Sequence, residues 1–221
     1  MAMIVAIIGG TGSMGFGLAT RLAAGGTAVF IGSRDAARAQ EAAARVREAI
    51  AGTEGGLPPT GLANGEAAAR ADVVVLTVPP PAQVRALAEL AQVLKGKVVI
   101  DATVSTAEGD PTRVVMPPEG ASAVRARAVL GPETRLVAGF HTVSGRLLSR
   151  LDRPLDCDIL LTGDDVEAKA AAAEIARRIG ARPVDVGPLE NAGTLERLTT
   201  MIIGMNIRLK RRHIGIRFTG L

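Results

Sequence analysis

The chain has no tyrosine, one cysteine (Cys157) and two histidines (His141 and His213) among its 221 residues. Each shortage removes a chemistry. Without tyrosine, carbonyl reduction by a Tyr/Lys pair is excluded. A lone cysteine allows neither an intrachain disulfide nor a CxxC redox pair. The two histidines do not belong to a metal-spaced cluster, so no metal site is expected. Long apolar runs are also missing. The first apolar stretch, Met3 to Ile8, has no basic flank and is far too short for a signal peptide or a membrane span, so a soluble cytoplasmic protein is expected. The net charge of +4 comes mostly from arginine; a modest basic excess suits an anionic ligand. The one dense basic run, Lys210-Arg211-Arg212, reads as a solvated helix end rather than a nucleic-acid patch.

What is present alternates between two periodicities. Met3 to Ile8 is a continuous apolar run, as a strand buried on both faces requires. A glycine-rich turn and a helix from Ser13 to Ala24 follow, stopped by Gly25-Gly26. Thr27 to Ile31 is a second strand, and Asp35 can cap a helix running to Ile50. A loop leads to a short strand at Thr60 to Ala63. Asp72 to Val78 is the clearest strand; Pro79-Pro80-Pro81 ends it and opens a helix to Leu94. Further strands are expected at Lys97 to Ile100, Arg135 to Gly139, Asp158 to Thr162 and Pro183 to Val186. Helices are expected at Ala121 to Leu130, from Asp164-Asp165 to Ile179, and from Leu189 to Leu209, with Thr106 to Pro118 irregular. The alternation predicts an α/β fold: a doubly wound, mainly parallel sheet of the Rossmann type, with a C-terminal α/β extension and a long C-terminal helix. No linker divides the chain, so residues 1–221 read as a single domain. Within it, 1–140 form a dinucleotide-binding core and 141–221 complete a second-substrate site.

Two segments carry the chemistry. Gly10-Thr11-Gly12-Ser13-Met14-Gly15 fits G-x-G-x-x-G in its diagnostic setting, after a buried strand and at the opening of a helix. Gly10 allows the tight turn, Gly12 the close approach of a diphosphate to backbone, and Gly15 the packing of helix on strand. The helix N-terminus offers free N–H groups and a positive dipole end. At the end of the second strand an NAD site would place an acid against the ribose hydroxyls. Here stand Ser33 and Arg34, with Arg38 four residues on. A serine and two arginines would hold a 2′-phosphate, so the cofactor is NADP rather than NAD. Asp35 is assigned to the helix cap.

The usual catalytic devices of NADP enzymes are missing. Zinc alcohol dehydrogenases need Cys and His ligands. Aldehyde dehydrogenases need a nucleophilic cysteine, and Cys157 opens a predicted strand away from the crevice. Imine and β-hydroxyacid reductases carry a long helical second domain for which this chain is too short. What remains is hydride transfer without a strong protein acid or base, as between a nicotinamide and a flavin-like ring.

The sequence resembles the F420-dependent NADP reductases, whose second coenzyme, F420, is a deazaflavin. The resemblance runs nearly end to end, in Ile8 to Gly15, Ile31 to Arg34, Asp72 to Pro79, His141-Thr142, Gly163 to Asp165, Arg182 to Leu189 and Ile214 to Phe218. It implies that Thr11, Gly12, Ser13 and Met14 lie along the diphosphate, and that Ser33, Arg34 and Arg38 hold the 2′-phosphate. Thr77, Val78, Pro79 and Val84 would line the nicotinamide ribose. Gly139 would sit beside the nicotinamide, with His141 and Val143 against the deazaflavin. The small residues Ala138 and Gly139 before His141 also suggest room for a second ring. His141 would be the catalytic-site residue. Separately, the apolar run Met201-Ile202-Ile203 on the long last helix predicts a covered face, hence a homodimer. Departures from the family pattern fall at Asp101-Ala102-Thr103, at Ser144 in place of a proline, and across Gly204 to Arg212, all on the second-substrate side. On residues alone two other readings stay open: an NADPH-dependent reductase of another acceptor, such as a free flavin or a ferric chelate, and a non-catalytic NADP sensor.

Overall fold

A computed structural model describes residues 3–221. Its central sheet has eight strands. Six of them run parallel: β1 (Ile4–Ile8), β2 (Ala28–Ser33), β3 (Thr60–Ala63), β4 (Val73–Leu76), β5 (Val98–Asp101) and β8 (Arg135–Gly139). Two more, β9 (Asp158–Gly163) and β10 (Arg182–Asp185), are parallel to each other, and β9 pairs antiparallel to β8, with Leu161 opposite Gly139. The order across the sheet is β10-β9-β8-β5-β4-β1-β2-β3. The expected mainly parallel, doubly wound α/β architecture is present.

Helices cover both faces, and β1 shows why. Val5 and Ile7 pack on one side with α1 (Ser13–Ala24), α2 (Ala36–Ala49) and α7 (Val166–Arg178). Ala6 and Ile8 pack on the other with α3 (Asn64–Arg70), α4 (Pro80–Leu94) and α5 (Ser122–Leu130). All four strand residues are fully buried, so the period-two alternation of side chains leaves no polar face and the strand reads as a continuous apolar run. The chain leaves β1 toward β2 and β3, then returns to β4 on its other side. Strand order therefore reverses at β1/β4, and a crevice opens beyond their carboxyl ends.

Three local features differ from the sequence expectation. Residues 106–118 are not all irregular: β6 (Thr106–Ala107) and β7 (Asp110–Val114) form an antiparallel hairpin. Its strands are short and polar, with Pro111, Thr112 and Arg113 exposed, so no apolar alternation marks them. The seven-residue α3 is too short and too rich in alanine to show a helical period. Between β8 and β9 the chain makes only the four-residue α6 (Gly145–Leu148). That is too short to carry it back to the opposite edge of the sheet, which is why β9 reverses direction. The last helix, α8 (Ala192–Arg208), follows a single 3₁₀ turn at Leu189–Asn191.

The extension is tied to the core by a few strong contacts. Arg21 of α1 donates to the carbonyls of Leu147, Leu148, Arg150 and Arg153 at 2.6–3.2 Å, pinning the β8–β9 connection beneath α1. At the far edge, Arg182 makes two 2.8 Å bonds to the buried carboxylate of Asp158, which also accepts Phe218 N–H at 2.7 Å and so fixes the C-terminal segment. Asp165 caps α7 by accepting Ala168 N–H at 2.7 Å, and is paired with Arg135. Because the ion pair is partly exposed it adds little, and the cap dominates. Asp165→Ala is expected to destabilise the protein by about 1 kcal/mol, read as a lower urea midpoint at unchanged slope.

Candidate active site

The site is built around the start of α1. Gly9, not Gly10, takes the left-handed conformation of the turn, with φ +78°. Gly10 is small for a different reason: a Cβ there would lie 2.9 Å from Ile31 Cγ2 and from the Ile7 carbonyl oxygen. At Gly15 a Cβ would fall 2.5 Å from Gly10 Cα and 2.6 Å from Thr77 Oγ1, so the helix touches its own turn and the end of β4. Gly12 is unlike both, since the protein leaves open space there and a Cβ would meet only the Gly9 oxygen at 3.6 Å. Nothing in the fold needs a glycine at 12; a ligand pressed against its backbone does. The helix starts on Gly12 without a side-chain cap and with no acid in its first turn. By contrast α2 and α7 are capped by Asp35 and Asp165. The N–H groups of α1 are thus left for an anion.

From this turn a cavity of about 1390 Å³ runs along the carboxyl ends of the strands. Thr11, Gly12, Ser13 and Met14 line its centre, and Ser33, Arg34 and Arg38 line one end. Ser33 Oγ accepts Asp35 N–H at 3.2 Å, which leaves its own hydroxyl proton to donate. Asp35 lies on the lining, but its Oδ1 is engaged by Ala37 N–H at 2.9 Å as the helix cap. Thr77, Val78 and Pro79 border the cavity beyond β4, and His141 and Val143 border it beyond β8. Phe140, fully buried with φ 67°, turns the chain there. Left-handed backbone at a non-glycine residue is strained and must be held by its surroundings.

Several residues named from the sequence stand elsewhere. Gly10 and Gly15 are beneath the lining, shaping the turn. Val84 is 42 % exposed on α4 and off the cavity. The helical phase brings Ala82, Arg85, Ala86 and Glu89 to the cavity instead, spaced i, i+3, i+4 and i+7. Ala138 and Gly139 are buried inside the sheet, and the space above Gly139 is filled by Leu161, 2.6 Å from where a Cβ would stand. The small size of Gly139 therefore serves strand packing. A further wall comes from one helical face of α8: Thr199, Ile202 and Ile203, which the sequence did not place at the site, and Asn206, within the stretch from Gly204 to Arg212 that it did. Asn64 and Arg146 are further lining residues missed from sequence, since neither sits in a recognisable motif, while Thr103, singled out with Asp101 and Ala102, does line the cavity. The basic run does follow a helix end and is exposed, yet Arg211 and Arg212 also border the cavity.

The electrostatics are divided by region. Burial pushes the His141 imidazole down to about 4, against a weaker opposing hydrogen bond with the Thr103 backbone, so it is neutral at physiological pH. Its Nδ1 has no protein partner, and neither have Thr142 Oγ1 and Asn64 Oδ1, all buried atoms of lining residues. Buried polar atoms are rarely left unpaired, so these mark where ligand atoms fit, at both ends of the cavity. Asp101 lies below the lining, fully buried. Its carboxyl is pushed up to about 6 by burial and by Glu196, against hydrogen bonds from Thr103 and Gln83. Cys157 is inert: burial first, then Asp158 and Asp156, raise its thiol to about 11. Among the described residues no group of three or more His, Cys, Asp or Glu side chains could hold a metal ion, and no helix is long and apolar enough to cross a membrane.

Residues 4–105 match the family described as NADP oxidoreductase, coenzyme F420-dependent. The F420-dependent NADP reductase of Methanothermobacter thermautotrophicus is 45% identical over 226 residues, covering 100% of this chain and 97% of that protein. The enzyme of the same name from Methanocaldococcus jannaschii is 42% identical over 99% of both. The solved structure of a candidate F420-dependent NADP reductase from Arthrobacter sp. FB24 matches with a TM-score of 0.81 over 99% of this chain and 100% of that one. At 23% identity it speaks to the fold alone. With full-length identity above 40% to two named enzymes, and with a cavity whose phosphate turn, cation pair and orphaned polar atoms all fit a dinucleotide, the chain belongs to the F420-dependent NADP reductase family.

Proposed function

We infer that the protein is an oxidoreductase that passes a hydride between NADP(H) and the deazaflavin coenzyme F420. The single observation that carries this reading is one continuous cavity with an uncapped helix N-terminus at its centre, paired cations at one end and a neutral, largely apolar chamber beside His141. The nicotinamide and the deazaflavin supply the hydride chemistry when bound; the chain supplies position and surroundings. Thr11, Gly12, Ser13 and Met14 hold the diphosphate against the start of α1. Ser33, Arg34 and Arg38 hold the 2′-phosphate. Thr77, Val78 and Pro79 flank the nicotinamide ribose. Val143, Ile202 and Ile203 give the chamber an apolar lining that disfavours water.

His141 orients its neighbour through a neutral imidazole, because a group that titrates near 4 is not charged at pH 7. Catalysis then rests on holding two flat rings at reacting distance, an effect that can supply roughly 7–11 kcal/mol. A sensor would not need the open chamber beside His141, and the full-length likeness to named reductases favours the deazaflavin over a ferric chelate or free flavin as acceptor. We also propose a homodimer. The apolar run Met201-Ile202-Ile203 is less exposed than its sequence implies, since Ile202 is buried and Ile203 turns into the cavity. Met201, Ile207 and Leu209 still present apolar surface, each more than half exposed. Cytoplasmic location suits a lone, buried thiol.

Several outcomes are expected. Mixing NADPH with oxidised deazaflavin should bleach the deazaflavin's visible absorbance at a rate without a titration near neutrality; no bleaching refutes the function. Arg34→Ala should weaken NADPH binding about tenfold or more while leaving NADH unaffected, the scale of one charge-assisted hydrogen bond, and calorimetry reads both. His141→Gln tests the buried neutral imidazole. The folded pKa of about 4 lies below the ordinary 6.5, so across that window the unfolded chain binds more protons and wild-type stability falls as pH drops. Urea midpoints at pH 7 and pH 5 should show a larger acid loss for wild type than for the variant. For the oligomer, light scattering at micromolar concentration should give twice the chain mass.

A further inference from the structure

We propose that Asp101, at the carboxyl end of β5, is a positioning residue for the second-substrate side of the cavity, holding the Thr103 backbone, which lines the cavity together with His141, by a buried network that Gln83 and Arg125 lock in one orientation. This rests on reading the chamber beside His141 as the deazaflavin side.

Asp101 does not line the cavity, but the residues that follow it, Ala102, Thr103 and Val104, do. Both ends of this segment are clamped by fully buried carboxylates. At one end Asp101 Oδ1 accepts Thr103 N–H at 2.9 Å. At the other, Glu196 accepts Ser105 N–H at 2.7 Å and Ser122 N–H at 2.6 Å. Glu196 thereby also caps α5, whose own N-cap residue, Ala121, has no side-chain acceptor. The cavity wall is the short span between the two clamps. Thr103 lines the cavity together with His141, so fixing its backbone fixes the wall on that side.

The outer side of Asp101 leaves no freedom. Gln83 Oε1 accepts from Arg125 Nε at 3.0 Å and Nη2 at 2.7 Å, and Gln83 Nε2 donates to the Ser122 carbonyl at 3.1 Å. The amide cannot flip without setting donors against donors. Its Nε2 therefore faces Asp101 Oδ2 and donates to it. Position 101 is met by a donor on each side, and among side chains of this size only a carboxylate accepts on both. An asparagine in either orientation turns its own NH₂ toward one of them. Burying two acids without a directly bonded cation is costly compared with an apolar core, and what the arrangement secures is the course of residues 102–104.

The test uses coenzyme F420 and NADP⁺ as probes on wild type, Asp101→Asn, and the charge-conserving double variant Asp101→Asn/Gln83→Glu. In the double variant the introduced carboxylate at position 83 still accepts from Arg125. The introduced amide at position 101 donates to that carboxylate, which frees the amide oxygen to accept Thr103 N–H, while the bond to the Ser122 carbonyl is lost. Asp101→Asn should raise the deazaflavin Kd by equilibrium dialysis, and its KM, about tenfold. NADP⁺ affinity by calorimetry should stay within about twofold, and the double variant should recover part of the loss. Unchanged deazaflavin affinity and KM in Asp101→Asn overturns the proposal. So does an equal loss for both coenzymes with a lowered melting temperature and no recovery in the double variant, which marks a purely structural role. If Asp101→Asn does not fold, Gln83→Met keeps the Asp101–Thr103 bond but removes the outer partner, together with its bonds to Arg125 and Ser122, and carries the same expectation and the same refutation. Failure of wild type to bind the deazaflavin at all overturns the functional reading and this proposal with it, whereas normal wild-type binding with indifferent variants overturns this proposal alone.

Discussion

Gly15 has no room for one more carbon, and the rest of the site depends on that contact. A Cβ there would come 2.5 Å from Gly10 Cα and 2.6 Å from Thr77 Oγ1. The first helix therefore sits hard against its own turn and against the end of β4, with its N-terminus aimed along the crevice where strand order reverses. A second close approach reinforces the first. Gly145 of α6 packs on the backbone of Met14, where a Cβ would meet Met14 N at 2.8 Å, and Gly17 of α1 packs on the Gly145 carbonyl. The β8–β9 connection is thus brought down onto the same helix turn that faces the cavity, and Arg21 fastens it there. Dinucleotide site and second-substrate side are joined through these few glycine contacts.

Charge is distributed along the cavity in a way that suits its occupants. Cations stand at the ends: Arg34 and Arg38 beyond β2, Arg146, Arg211 and Arg212 near the extension. None of these takes part in a salt bridge among the described residues. The stretch beside His141 is neutral: the imidazole is uncharged and the α8 wall presents isoleucine, threonine and asparagine. Hydride transfer between two rings gains little from a fixed charge at the reacting carbons and much from a dry, shaped chamber that holds them. The acids that are buried, Asp101 and Glu196, lie behind the wall and act on backbone N–H groups.

The extension does more than close the sheet. After α8 the chain passes the cavity at Arg211, Arg212 and Ile214 and is then fixed at Asp158 by Phe218 N–H and by the Asp158–Arg182 pair. The segment bordering this part of the cavity is thereby held between a helix end and a buried ion pair. Residues distant in sequence, following β5 and β8 and from α8 and the C-terminal segment, line one cavity, while the phosphate turn and the group Ser33, Arg34 and Arg38 come from the first third of the chain.

That asymmetry explains what was legible in the sequence. The phosphate turn, the buried β1 run, Ser33-Arg34 with Arg38, and the Asp35 and Asp165 caps are all local: each function is written within a few residues by steric demand, dipole or helical spacing. The sequence alone therefore determined an α/β dinucleotide fold with an NADP-type end, and the family resemblance added the second coenzyme. Tertiary structure decided the rest. Helical phase, unreadable without a fixed start, put Ala82, Arg85 and Ala86 on the cavity in place of Val84. Sheet pairing gave the space over Gly139 to Leu161. Burial, which is a property of the packed molecule, made His141 neutral and drew Asp101, Gln83, Arg125 and Glu196 into a network spanning residues 83 to 196. Steric and capping rules act between neighbours in the chain, whereas desolvation and long-range hydrogen bonds exist only once the chain has folded.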